Sequence, residues 1–232
     1  MSSSLKTITV RRDVAKQMNA SGEALRHQLG EQGTLVVNLV SSPGAGKTSL
    51  LEATAKQIAG QANMAVLVGD LETDRDAQRL APFVPTIQLT TGGACHLDAN
   101  LVQRGLEALA FDTSAEGPLD FLFIENVGNL VCPASHDLGE HLRVVLVSTT
   151  EGDDKPGKYP KMFRSSQVMI VTKTDLLPYV PFSVESVTSD ALKIQPDLRV
   201  LTVSTLKSEG IDRWCDLLWQ QRKERLCIDR RT

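Results

Sequence analysis

At 232 residues, 41% of them hydrophobic, the chain is long enough for one α/β domain with a buried core, or for such a domain with a small appendage. A net charge of −3 excludes the bulk basic field typical of nucleic-acid binders, so no nucleic-acid partner is expected. No apolar run reaches membrane-spanning length, and Met1-Ser2-Ser3-Ser4-Leu5-Lys6 lacks the apolar core of a signal peptide, so the expectation is a cytoplasmic protein with no membrane partner.

An amphipathic helix is expected over about Asp13–Gln28, and residues 1–30 read as a helical extension of a domain covering 31–232. Val-, Ile- and Leu-rich runs then predict strands at Thr34–Val40, Met64–Gly69, Thr86–Leu89, Leu119–Glu125, Arg143–Ser148, Gln167–Thr172 and Arg199–Ser204. Helical patterns fall between and after them, at Lys47–Ala59, Leu97–Leu109, Val184–Lys193 and Ile211–Arg225. Glu151–Lys161, rich in Pro, Gly and mixed charge, reads as a loop. The basic end, Arg222-Lys223-Glu224-Arg225 and Arg230-Arg231, suits a helix C-terminus rather than a polyanion. Continuous apolar strands alternating with helices predict a doubly wound, mostly parallel sheet of about seven strands, with ligands at the carboxyl ends of the strands.

The segment Ser41-Ser42-Pro43-Gly44-Ala45-Gly46-Lys47-Thr48-Ser49 leaves a predicted strand and opens a predicted helix, which is the setting of a P-loop. Glycines let the backbone wrap close to phosphate with its N–H groups inward, and the helix N-terminus adds its positive end. Pro43 to Ser49 would line the phosphates, with Lys47 on the β/γ-phosphates and Thr48 on Mg²⁺. Ser41 stands where the first glycine of the motif is usual.

Asp70 and Glu125 close two further strands. They are candidates to hold Mg²⁺ directly or through water, since that ion takes hard oxygen ligands. Glu125-Asn126-Val127-Gly128 has the form of a Walker-B and switch element, with Gly128 N–H a candidate contact to a γ-phosphate. Asp74 and Asp76 are weaker candidates.

Thr172-Lys173-Thr174-Asp175 is similar to the Asn-Lys-x-Asp element of GTPases, with Thr in place of Asn. Asp175 would accept from guanine N1 and the 2-amino group, which adenine cannot match. Ser204, Thr205 and Leu206, at the last strand end, are expected at guanine O6, and Lys173 beside the nucleotide. A bare glycine turn and an Asp that only caps a turn are the structural alternatives.

Cys95 and His96 precede the helix at Leu97, and Cys132 lies four residues after Gly128. Two thiolates and an imidazole suit Zn²⁺, Ni²⁺ or Cu ions, although isolated Cys and His are also common as core or surface residues. Cys215 and Cys227, on the last helix, read as packing thiols. A switch that moves when the γ-phosphate leaves would carry Cys132 with it, giving one element that touches both sites.

Taken together, Asn38-Leu39-Val40-Ser41-Ser42-Pro43-Gly44, Glu125-Asn126-Val127-Gly128-Asn129-Leu130-Val131-Cys132-Pro133 and Glu151-Gly152-Asp153-Asp154-Lys155-Pro156 resemble the HypB family of hydrogenase nickel-incorporation GTPases. The likeness runs from about Leu35 to Ile211. It implies a SIMIBI-type G domain, slow GTP hydrolysis to GDP, and a nickel or zinc site at Cys95, His96 and Cys132. It also implies a homodimer formed on GTP or metal binding, a nickel/zinc metallochaperone partner, and a hydrogenase large-subunit precursor as the final recipient. Lys155 or Lys158 would then reach the partner's nucleotide. Many relatives carry an N-terminal Cys-x-x-Cys-Gly-Cys motif or a His-rich stretch. Here the only histidines are His27, His96, His136 and His141. The urease nickel chaperones carry Cys-Pro-His, whereas Cys132-Pro133 is followed by Ala134. A regulatory GTP switch with incidental thiols is an alternative of another class. A small-molecule kinase is a third, against which Asp175 argues.

Overall fold

The computed structural model describes residues 10–70, 74–93, 96–113 and 118–228, and the side chains of these except at 10–19, 110–113, 227 and 228. Seven strands form one sheet: β1 (Leu35–Ser41), β2 (Met64–Asp70), β3 (Thr86–Thr90), β4 (Phe121–Glu125), β5 (Leu142–Ser148), β6 (Val168–Thr172) and β7 (Arg199–Val203). All neighbours are parallel, in the order β3-β2-β4-β1-β5-β6-β7. β1 and β4 are buried along their whole length, as expected of strands covered on both faces.

Side-chain alternation sorts β1 onto the two faces. Leu35, Val37 and Leu39 join Leu50, Leu51, Trp214 and Leu218 under α2 (Lys47–Ile58) and α8 (Ile211–Ile228). The fully buried Trp214 ties these two helices together, its Nε1–H donating to Thr54 Oγ1 at 3.0 Å. On the other face Val36 packs with Leu25 and Leu29 of α1 (Val10–Glu31) and with Val102 and Leu109 of α4 (Ala99–Thr113). Further along that face, Val40 packs with Met162, Phe163 and Val187, on α6 (Pro160–Ser165) and α7 (Val184–Ile194).

Between these last two apolar groups, on β1 and fully buried, lies Asn38. Its amide is satisfied by other buried polar groups: Nδ2 donates to Glu140 Oε1 at 3.2 Å, and Oδ1 accepts from Asn126 Nδ2 at 3.3 Å. Glu140 is ion-paired with Arg143, whose Nε donates to Glu140 Oε1 at 2.7 Å. A buried amide or charge is tolerated only when paired in this way.

The seven strands lie within two residues of their expected bounds, and the sheet is parallel throughout. Three short helices were not anticipated: α3 (Arg75–Leu80), α5 (Lys155–Lys158) and α6. The segment Glu151–Lys161, expected as a loop, holds α5 and the start of α6. Pro sits in the first turn of each, where its missing N–H costs nothing, and Pro156, Met162 and Phe163 are buried beneath them. Among the described residues no helix is long and apolar enough to cross a membrane.

Candidate functional site

β1 ends at Ser41 and α2 begins at Lys47, so the connecting loop lies at the carboxyl edge of the sheet beside β4 and β5. Gly46, directly before α2, has φ 94°, and Gly44 has φ 73°; both angles are strained for any residue with a Cβ. The Lys47 ammonium is folded back into the loop, where Nζ donates to Ser41 Oγ at 3.1 Å. Burial pushes its pKa down, against the pull of Glu125, Asp76, Asp70 and Glu151.

Thr48 Oγ1 donates to Glu125 Oε1 at 2.8 Å. Glu125 is 3% exposed, and burial raises its pKa to about 7 despite Lys47 and the Thr48 hydrogen bond. Its second oxygen, Oε2, is buried and has no hydrogen-bond partner. A buried carboxylate oxygen left bare beside a hydroxyl and an ammonium is the donor chemistry that a hard divalent cation completes. Asp70 ends β2, two residues past Val68, which pairs in register with Glu125. Gly128 closes the loop from the β4 side, where a methyl group in place of its hydrogen would stand 3.0 Å from Pro43 Cα.

At the other end of the loop, Thr172 Oγ1 donates to Ala45 O and Lys173 Nζ to Gly44 O, each at 2.7 Å. Lys173 adopts φ 58°, the left-handed region, as the chain turns off β6. Asp175 Oδ1 accepts from Ser204 Oγ at 2.6 Å, which joins the end of β6 to the end of β7. Ser49, Thr205 and Leu206 share a cleft of about 410 Å³ with Glu52 and Ser208, and Leu206 is 83% exposed. The structure therefore gathers the expected loop, Mg²⁺ and base residues along one edge of the sheet.

Lys155 also lies there, on its own chain's loop. Its Nζ donates to Ser42 Oγ at 3.2 Å and pairs with Glu151 at 2.7 Å. Lys158 pairs with Asp154 on the surface.

Cys95 lies outside the described residues. His96 and Cys132 are brought to one neighbourhood by His136, a residue that no local motif singles out. The His96 and His136 rings stack with centroids 3.7 Å apart and planes 21° from parallel. His136 Nδ1 lies 2.9 Å from Cys132 O. A carbonyl only accepts, so Nδ1 carries the proton. Burial, then the neighbouring His136, lowers the His96 pKa against Asp98, which favours the neutral ring that ligates metals. Asn129 Oδ1 accepts from the N–H groups of Val131 at 2.7 Å and Cys132 at 3.4 Å, which shapes the turn that presents Cys132. Among the described residues no three His, Cys, Asp or Glu side chains form a preformed metal cluster. Arg143 Nη2 donates to His136 O at 2.6 Å, so the Glu140–Asn38–Asn126 network reaches from the His136 turn to the residue beside Glu125.

Residues 35–202 match the family model described as CobW/HypB/UreG, nucleotide-binding domain. The chain is 43% identical over 222 residues to the hydrogenase maturation factor HypB of Azotobacter chroococcum mcd 1, an alignment covering 95% of this chain and 71% of that protein. A crystal structure of HypB from Helicobacter pylori in complex with nickel superposes with a TM-score of 0.85 at 36% identity, covering 90% of this chain and 96% of that one. HypB from Archaeoglobus fulgidus superposes with a TM-score of 0.81 at 34% identity, over 89% and 99% of the two chains.

Proposed function

The chain belongs to the CobW/HypB/UreG family and, within it, to the HypB hydrogenase maturation factors; we propose, on that premise, that it is a GTP-binding and GTP-hydrolysing metallochaperone that couples a nucleotide-dependent dimer switch to nickel delivery during [NiFe] hydrogenase maturation. Residues 31–232 act as the GTPase domain and 1–30 as its extension, of which the described residues lie in α1. The observation that carries the nucleotide half is the Thr48–Glu125 contact at the mouth of the loop, with Glu125 Oε2 buried and bare.

In this reading the backbone N–H groups of Gly44 to Ser49 and the Lys47 ammonium hold the phosphates, with Pro43 lining the loop. Thr48, Glu125 and Asp70 would hold Mg²⁺, the two carboxylates directly or through water. When bound, Mg²⁺ neutralises charge on the phosphate oxygens. Lys47 leaves Ser41 Oγ for the β/γ-phosphates, and Gly128 offers its N–H to the γ-phosphate. Asp175, oriented by Ser204, accepts from guanine, with Lys173, Thr205 and Leu206 flanking the base. Among the described residues no arginine finger or water-positioning glutamine stands out, so slow intrinsic turnover is expected.

Cys95, His96 and Cys132 offer thiolate and imidazole to Ni²⁺ or Zn²⁺. The 62% exposed Val131 beside Cys132 supports a contact between two copies at this turn. GTP fixes Glu125–Gly128 and with it Cys132; hydrolysis loosens both and passes the ion, by way of a metallochaperone partner, toward the hydrogenase large-subunit precursor. Linkage sets the test. Ni²⁺ and Zn²⁺ affinities are measured with a GTP analogue and with GDP, and analogue affinity with and without metal. The two coupling factors are expected to be equal and different from one. Identical metal affinity in both nucleotide states overturns the coupling, and equal affinity for ATP and GTP overturns the nucleotide assignment.

A further inference from the structure

We propose that His136 is a further metal donor of the Cys132–His96 site, contributing Nε2 to the same borderline ion; the inference rests on the metal reading above. An imidazole that ligates a metal through one nitrogen characteristically gives its other N–H to a carbonyl or carboxylate, which fixes the tautomer and the ring. His136 has that arrangement already. Nδ1–H is donated to Cys132 O at 2.9 Å, so the lone pair is on Nε2. The acceptor belongs to the residue whose thiol is the expected ligand, so thiol and imidazole are carried by one turn.

The backbone of His136 is anchored separately. Its carbonyl accepts from Arg143 Nη2 at 2.6 Å, and Arg143 is itself buried and paired with Glu140. The main chain is therefore held by Arg143 and the ring by its Nδ1–H bond, with Nε2 left facing outward from that bond. His96 already lies 3.7 Å away, face to face. Metal–imidazole bonds are about 2.0–2.1 Å long and lie in the ring plane. Two rings within 21° of parallel meet one ion only when one of them turns out of the stack. One sulfur and two nitrogens from Cys132, His96 and His136 make a donor set suited to Zn²⁺ or Ni²⁺ and ill suited to Mg²⁺.

The competing role for His136 is an aromatic platform that only orients His96, and substitution separates the two. His136→Phe keeps a stacking ring and removes the donor; His136→Gln is a second variant without a ring. Both are titrated as full chains with Zn²⁺ and with Ni²⁺ alone, beside the parent and Cys132→Ala. X-ray absorption counts the imidazoles per bound ion, and the melting temperature of each metal-free variant reports the fold. The parent is expected to show two imidazoles. His136→Phe and His136→Gln are expected to bind at least about tenfold more weakly and to lose one imidazole each. Parent affinity and an unchanged imidazole count in His136→Phe overturn the proposal while leaving the metal site intact, provided that Cys132→Ala has lost binding. Binding unchanged in Cys132→Ala overturns the metal reading itself.

Discussion

Gly128 lies against Pro43 so closely that a methyl group at its Cα would stand 3.0 Å from both Cα and Cγ of the proline. Residue 128 follows the strand that carries Glu125, and Pro43 is in the loop between β1 and α2, so two elements of the site share one close contact. Gly128→Ala is expected to displace one of them. The cost is about 1–3 kcal/mol, as for other overpacked contacts. Calorimetry reads the stability loss, and single-turnover kinetics should show slower GTP hydrolysis. Wild-type stability and rate in Gly128→Ala would mean that the two segments part freely.

Glu125 gives the metal-free, nucleotide-free chain a distinctive pH dependence. Burial raises its pKa from an ordinary 4.5 to about 7, so between those values the folded chain holds a proton that the unfolded chain has released. The Glu125 contribution to stability is present below pH 4.5 and lost as the pH rises through about 7. The melting temperature of the parent should therefore fall more steeply over this interval than that of Glu125→Gln. Parallel curves would show that Glu125 titrates normally. Glu125→Gln should also weaken the Mg²⁺-dependent part of nucleotide binding.

Asp175→Asn should shift base preference from guanine toward xanthine, because an amide N–H replaces an acceptor where guanine offers donors. The mismatch of a single hydrogen-bonding group is worth about 1–3 kcal/mol, or roughly tenfold to a hundredfold in affinity. Competition binding with GTP, ATP and xanthosine triphosphate measures it. A variant that keeps the preference for GTP would remove Asp175 from base recognition.

Thiol reactivity should separate Cys132 from Cys215. Cys215 is on the buried face of α8, and burial, with Asp216 and Asp212, pushes its pKa up to about 11. Cys132 is only half-buried. Because the thiolate is the nucleophile, peptide mapping after brief alkylation should find Cys215 modified at least about tenfold more slowly than Cys132. Of these two thiols, bound Ni²⁺ or Zn²⁺ should then protect only Cys132. Equal labelling of the two would mean that α8 opens readily.

The fold was legible where local signals were strong. The β1 run Leu-Val-Val-Asn-Leu-Val has only one reading once a glycine-rich turn and a helix follow it, and all seven strands register in this way. α5 was not legible, because Lys-Pro-Gly-Lys has poor helix propensity and is held by the buried Pro156 and by Lys155 on Ser42. The site divides along the same line. Gly46, Lys47 and Thr48 announce themselves by adjacency. His136 stands forty residues from His96 in sequence, and only the turn after Cys132 brings the two rings together. The role of Asn38 was not legible in its strand, since its partner Glu140 lies about a hundred residues away.

Asn38, Glu140 and Arg143 also constrain how this sequence can change over generations. Each fills the buried hydrogen-bonding capacity of another, and Arg143 additionally fastens the His136 carbonyl. Replacing Asn38 with leucine leaves the Asn126 amide without its acceptor while Glu140 keeps Arg143; replacing Glu140 strands the buried Arg143 guanidinium. A stranded partner of this kind costs about 3–5 kcal/mol, whereas exchanging all of them for well-packed apolar residues can be neutral. Single steps away from the trio are therefore blocked even where the destination is permitted. The neighbouring Val36 and Val40 of β1, held only by packing, can drift one at a time among residues of similar volume. Within this one strand the polar position is inherited as part of a set, and the apolar ones are inherited singly.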